Sequence, residues 1–267
     1  MQKRFSIRIV TLLVAILVVV SSCADLIMGT NLFSGFDEAP SAADALRGKV
    51  DVSGAVLPGQ EAAFLRSLRN STSSAKFFTN LTADERGQLN TALASLYNNP
   101  DLDPAVRQQA ALDGAAVSLR GTAAQTTSNN LTKYITDGGG DAIGEPDKLL
   151  DAILPNSAKG DPVAIQGILD SYIAAAAAYE ALGDTLVDGS DAPSGANMNA
   201  VGQNAAIAMS VAALAKDNPN LAGELAKDPD DRAALDTSGL DGINDEGTPL
   251  HAILQSSGLG GVFNGGD

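Results

Sequence analysis

Apolar residues recur at three- and four-residue steps along much of this chain, the spacing that gathers them on one face of an α-helix. The longest such stretch runs from about residue 162 to 186, where Ile165, Ile168, Tyr172, Ala176, Tyr179, Leu182 and Leu186 form one stripe. A polar loop over 188–197 separates it from a second long helix over about 198–216. Earlier, Thr82-Ala83-Asp84-Glu85 reads as a capping box, and Leu89, Leu93, Leu96 and Tyr97 follow on one face. Asn98-Asn99-Pro100 stops that helix and Asp103-Pro104 starts the next, so the two should pack antiparallel across a short turn.

The same punctuation, an Asx residue before proline, returns at Asp161-Pro162, Asn218-Pro219 and Asp228-Pro229. Asp and Asn accept hydrogen bonds from the free amides of a helix start, and proline suits its first position. Further short helices are expected at 40–47, 60–69, 146–154, 219–227 and 229–235. Strand patterning is confined to a weak alternation of Val50, Val52 and Val56 before Pro58, too little for a sheet. The chain therefore reads as all-α, with antiparallel helix hairpins forming an irregular bundle or a short degenerate helical-repeat array.

The first 23 residues follow a different logic. Lys3, Arg4 and Arg8 precede an apolar run from Ile9 to Val20, and Ser21 and Ser22 lead into Cys23, the one cysteine of the chain. A charged start, a short apolar run and small residues at a cleavage point make an export signal rather than a membrane span, which needs about 20 apolar residues. Val20-Ser21-Ser22-Cys23 resembles the lipobox of bacterial lipoproteins. That resemblance implies cleavage before Cys23 and acyl chains on its thiol and new amino group, an anchor that holds a domain where a single chain would not. Asp25 lies one place beyond the position that favours inner-membrane retention, so the resemblance implies an outer-membrane protein facing the periplasm. The expected organisation is a signal peptide over 1–22, a lipidated tether over 23–37, a helical domain over 38–255 and a glycine-rich tail over 256–267.

Charge then narrows the partners. Of 17 basic residues three lie in the signal, which holds none of the 32 acidic ones, so the remaining chain carries about −18. Such a surface repels nucleic acid and anionic headgroups. There is no tryptophan, aromatics make up 4% of the chain, and alanine dominates the apolar set, including Ala174 to Ala178. Stability must come from many modest contacts and from alanine's helix propensity.

Tyr179, Leu182, Gly183 and Leu186 resemble the first helix of a tetratricopeptide repeat, with Tyr for Trp and Leu for Tyr, and Gly202 to Pro219 resembles its second helix. The departures are a loop about a dozen residues too long, and Val211 and Leu214 where an aromatic and a small residue belong. Thr248-Pro249-Leu250-His251-Ala252 is similar to the start of an ankyrin repeat, but it lacks two flanking residues and a second copy. It reads instead as a helix start, with Thr248 capping, Pro249 at the first position and His251 capping locally.

Chemistry-bearing constellations are sparse. His251 is the one histidine, near the C-terminus, and no Gly-x-Ser-x-Gly elbow is present. Ser73-Ser74-Ala75-Lys76 matches an acylating Ser-x-x-Lys pair without the accompanying Lys-Thr-Gly. Asp137, Asp141 and Glu145, and separately Asp236, Asp241, Asp245 and Glu246, bracket loops of the kind that bind calcium weakly. Neither has EF-hand spacing, and solvated acidic loops explain both. No catalytic residue, metal ligand or cofactor is expected.

The expectation is a non-catalytic, membrane-anchored helical module with an envelope protein partner. Its groove would lie on the 172–186 and 201–214 helices, with Tyr172, Tyr179, Leu182 and Leu186 facing the partner. The alternative is a lipoprotein that carries a small molecule for an envelope transporter, in an apolar cavity lined by Tyr134, Tyr172 and Tyr179.

Overall fold

A computed structural model describes residues 41–73, 75–136 and 153–260. The signal, Cys23, the tether, the loop holding Asp137, Asp141 and Glu145, most of the expected 146–154 helix and the end of the tail lie outside these residues. The described chain is helical: α1 (Ala42–Leu46), α2 (Glu61–Thr72), α3 (Ala75–Asn80), α4 (Ala83–Tyr97), α5 (Pro104–Leu119), α6 (Ala123–Thr136), α7 (Pro162–Val187), α8 (Met198–Asp217), α9 (Leu221–Ala226) and α10 (Pro249–Ser256). Among the described residues the extended pairing amounts to one antiparallel bridge, Val50 to Val56.

Helix starts follow the capping chemistry. Thr82 and Glu85 form the reciprocal box, with the Glu85 carboxylate 2.9 Å from the Thr82 amide. Asp103 accepts from the Ala105 amide at 2.8 Å, and Asp161 from the Val163 and Ala164 amides at 2.9 and 3.2 Å. Thr248 accepts from the His251 amide, and Pro249 occupies the first position of α10. The His251 ring turns back instead, its Nδ1 3.0 Å from the Asn244 carbonyl oxygen.

The two other Asx-Pro pairs behave differently. Asn218 does not cap a helix at 219; its side-chain amide exchanges two hydrogen bonds with the Asp236 backbone, at 2.7 and 2.8 Å, and α9 begins only at Leu221. The expected helix over 229–235 is a single 3-10 turn, Pro229–Asp231. Beyond it the backbone is drawn toward α9: Ala233 donates to the Glu224 carboxylate at 2.9 Å, and Arg232 donates to the Lys227 and Leu225 carbonyls. Hydrogen bonds to the Asp236 backbone in the first place, and back to α9 and its end in the second, override the local signal.

Carbonyl ends are closed by arginines. Arg86 on α4 donates to the Val117 and Arg120 carbonyls at the end of α5, and to the Phe78 carbonyl in α3 at 3.0 Å. Arg107 donates to the Tyr97 carbonyl at the end of α4. A cation at a helix C-terminus satisfies orphaned carbonyls and complements the dipole. Arg86 near Val117 and Arg107 near Tyr97 also make α4 and α5 antiparallel.

The arrangement is a bundle around one helix. α7 packs against α4, α5, α6, α8, α9 and α10, elements drawn from most of the described chain. A repeat array would confine each unit to its neighbours. Small residues let the helices close on α7: a methyl built on Gly114 of α5 would lie 3.4 Å from Ala178 Cβ. Gln108, buried on α5, ties α5 to the far end of α7, donating to Thr185 Oγ1 at 3.1 Å and to the Asp191 carbonyl at 2.9 Å. Part of the glycine-rich tail joins the core: Leu259 is buried, and Gly202 on α8 sits against Ser257 and Leu259.

Candidate functional site

The four residues expected to face a partner do not form an outer surface. Tyr172, Tyr179 and Leu182 are buried in the core, and Leu186 is half-buried against it. The physical reason is the central position of α7, which turns its main apolar stripe inward onto α5, α6, α8 and α10. Tyr172 is fixed by polar contacts as well: its hydroxyl lies 2.8 Å from Ser128 Oγ and donates to the Ala124 carbonyl at 3.0 Å. Burial pushes its phenol up to about 12, against the smaller opposing effect of the Ser128 hydrogen bond. Burial raises the Tyr179 phenol too. On α8 the stripe of Val201, Ile207, Val211 and Leu214 is partly buried against the same core.

A concave feature among the described residues lies elsewhere on α7. α4, α5 and α7 leave a cleft of about 240 Å³, open to solvent and lined by Asn90, Thr91, Ala94, Tyr97, Gly114, Ala174 and Ala177. Each wall follows from local sequence. Thr91, Ala94 and Tyr97 recur at three-residue steps on α4. Gly114 brings α5 close enough for Tyr97 to pack over it, with a methyl at that position only 3.3 Å from Tyr97 Cε1. Ala174 and Ala177 belong to the alanine run, and their short side chains leave space that a leucine would fill.

The cleft is apolar where it is open. Asn90 Oδ1 accepts from the Ser118 hydroxyl at 3.3 Å, and Thr91 donates to the Gly87 carbonyl at 3.0 Å, so both polar residues hold partners within the fold. Tyr97 is buried, which raises its phenol. The loop before α2 borders α4 here: the Val56 amide donates to Ser95 Oγ at 3.0 Å, and a methyl on Gly54 would lie 3.2 Å from Thr91 Cγ2. Sequence periodicity marks the large side chains and therefore passes over this site. The signal it offered was the reverse, a run of alanines on a helix otherwise rich in leucine, isoleucine and tyrosine.

Other candidates fall into place as structural residues. Ser73, of the Ser-x-x-Lys pattern, closes the end of α2, its hydroxyl donating to the Asn70 carbonyl at 2.6 Å. Asp236 accepts from the Ser238 amide at 2.9 Å in a local turn. Among the described residues no three His, Cys, Asp or Glu side chains converge to hold a metal ion. Among the described residues the most perturbed carboxylate is Asp113 on α5. Burial raises it from 3.8 to about 6, opposed by a hydrogen bond from Gln109 and the charge of Arg69, and its Oδ2 has no hydrogen-bond partner among the described residues. Gln109 is itself held by Arg69, 3.0 Å away.

No protein-family model, no curated protein and no solved structure matches this chain.

Proposed function

We propose that this protein is a non-catalytic helical interaction module, held at the cell envelope by lipid on Cys23, probing a protein partner with the α4/α5/α7 cleft. The observation that carries the reading is the cleft itself. At about 240 Å³ and open to solvent, it is smaller and less enclosed than the ~300–1,000 Å³ pockets that bury small ligands. It suits one apolar side chain of a protein surface better than a whole cargo molecule. The alternative role as a small-molecule carrier has less support, because Tyr172 and Tyr179 are packed in the core rather than around a chamber.

Two features are compatible with the anchor. No helix among the described residues is long and apolar enough to cross a membrane. The lipobox-like Val20-Ser21-Ser22-Cys23 would supply attachment in its place.

The test is chemical crosslinking of the full-length chain in intact cells, followed by affinity capture and mass spectrometry. One envelope protein in near-stoichiometric yield, lost on Ala177→Arg with the circular dichroism spectrum unchanged, is the expected result. Recovery unaltered by that substitution would remove the cleft from the reading. A co-purifying small molecule in native mass spectrometry, with no protein adduct, would favour the carrier.

A further inference from the structure

We infer, on the reading of the protein as an interaction module, that the α4/α5/α7 cleft seats an apolar side chain carried on a positively charged segment of its protein partner. Shape and charge both enter. The open floor is Ala94, Ala174 and Ala177, which present methyl groups; beside it Asn90 Oδ1 accepts from Ser118 and the Thr91 hydroxyl donates to the Gly87 carbonyl. The alanine floor offers a polar group no side-chain partner, whereas an aliphatic or aromatic side chain would bury its surface against methyl groups.

The α7 side of that floor is acidic. On the exposed side of α7, Asp170 precedes Ala174 by four residues and Glu180 follows Ala177 by three, each about one helical turn, or ~5 Å, from the cleft. Ile173 is exposed between them, adding apolar area to the same stripe. α7 contains no lysine or arginine in 26 residues. On α4, exposed Asp84 lies two turns before Thr91 on the same face. α4 and α5 each carry one arginine, whose guanidinium keeps its charge but is turned onto backbone carbonyls of the fold. Arg86 serves the Val117, Arg120 and Phe78 carbonyls, and Arg107 serves the Tyr97 carbonyl.

Negative charge is thus presented along the α7 side of an apolar seat, where that helix supplies no cation to offset it. An acidic rim attracts a cationic segment, speeds encounter and disfavours acidic competitors, while the desolvated centre supplies the holding energy. The same field repels anionic lipid headgroups, so the seat faces a protein rather than the bilayer surface.

The experiment places a photo-crosslinking amino acid at Ala177 of the full-length chain in intact cells and sequences the adducted peptide by mass spectrometry. A control chain carries it at Asp241, in another part of the fold. The expected adduct at 177 is one segment with net positive charge and an apolar residue at the linkage. Its yield should fall at least three-fold in Asp170→Asn/Glu180→Gln and stay within two-fold in Asp230→Asn/Asp241→Asn, with both variants melting like the parent. A neutral or acidic adducted segment, or a yield indifferent to Asp170 and Glu180, overturns the charge inference and leaves the interaction module standing. Adducts at 241 but none at 177 move the interface and overturn the inference alone. No protein adduct from either position, with the chain folded and membrane-bound, brings down both readings.

Discussion

Gly183 on α7 lies directly under Pro249, the first residue of α10: a methyl group built on it would sit 2.4 Å from the Pro249 carbonyl oxygen and 2.5 Å from Pro249 Cβ. The tight approach seats the start of α10 on the central helix and lets Leu250, Ile253 and Leu254 reach the core. Only glycine leaves room there, although glycine is the poorer helix former.

Gly183→Ala is therefore expected to destabilise the domain by about 1–3 kcal/mol through overpacking, despite the gain in helix propensity. Gly167, on the exposed side of the same helix, has open space where its methyl would go. Gly167→Ala should stabilise by about 0.5–1 kcal/mol. Thermal melts of the two variants should move in opposite directions; a rise in both would show that α10 yields without strain.

Arg86→Ala would strand the Val117, Arg120 and Phe78 carbonyls in a partly buried junction of α3, α4 and α5. Loss of several hydrogen bonds to one charged group should cost about 2–3 kcal/mol. Arg86→Lys should recover little of it, since a single ammonium lacks the planar fork that reaches several carbonyls. Urea denaturation curves for the three proteins check the order.

Asp113 predicts a pH dependence of unusual sign. Burial lifts its folded value from 3.8 to about 6, so the folded state holds this proton more tightly than the unfolded chain. The carboxyl imposes no penalty below about pH 4. Stability falls as pH rises from there through 6, and the full penalty, at most about 2–3 kcal/mol, persists above. Asp113→Asn should therefore stabilise at pH 7.5 and have little effect at pH 3.5, measured as melting temperatures across that range. An equal effect at both pH values would trace the change to packing.

Tyr172→Phe removes a hydroxyl that contacts Ser128 and donates to Ala124, linking α7 to α6. The expected cost is about 1–2 kcal/mol, concentrated on α6. Hydrogen exchange should quicken over Ala123–Leu131 and hardly change on α4. Uniform quickening would mean that α6 and α7 open together.

Cys23→Ser tests the anchor without touching the described fold. The protein should lose acyl mass and move from the membrane to the soluble fraction, while its circular dichroism spectrum stays the same. Retention in the membrane would assign attachment to another segment.

Local chemistry made much of this fold legible. Thr82 with Glu85, Asp103, Asp161 and Thr248 act on amides within three residues, and their helices begin where the letters place them. α6 carries no such local signal. Its Thr-Thr-Ser-Asn-Asn stretch has poor helix propensity, and the helix is held by burial of Ala124, Thr127 and Leu131 and by the hydroxyl of Tyr172, 44 residues beyond Ser128. Asn218 likewise found a partner 18 residues on, in Asp236, in place of the local helix its neighbours suggested.

By itself the sequence determined the helical class, the long helices and most of their starts, because hydrophobic period and capping act over a few residues. It also determined the acidic surface and the lipobox-like beginning, which are properties of composition and order. Tertiary structure alone decided which side of α7 is inside. A stripe of Tyr172, Tyr179 and Leu182 suits a core or a binding face equally well, and the choice belongs to whichever helices surround it. Here α5, α6, α8 and α10 cover that stripe, and the open site falls to Ala174 and Ala177, where what matters is the volume their side chains leave empty.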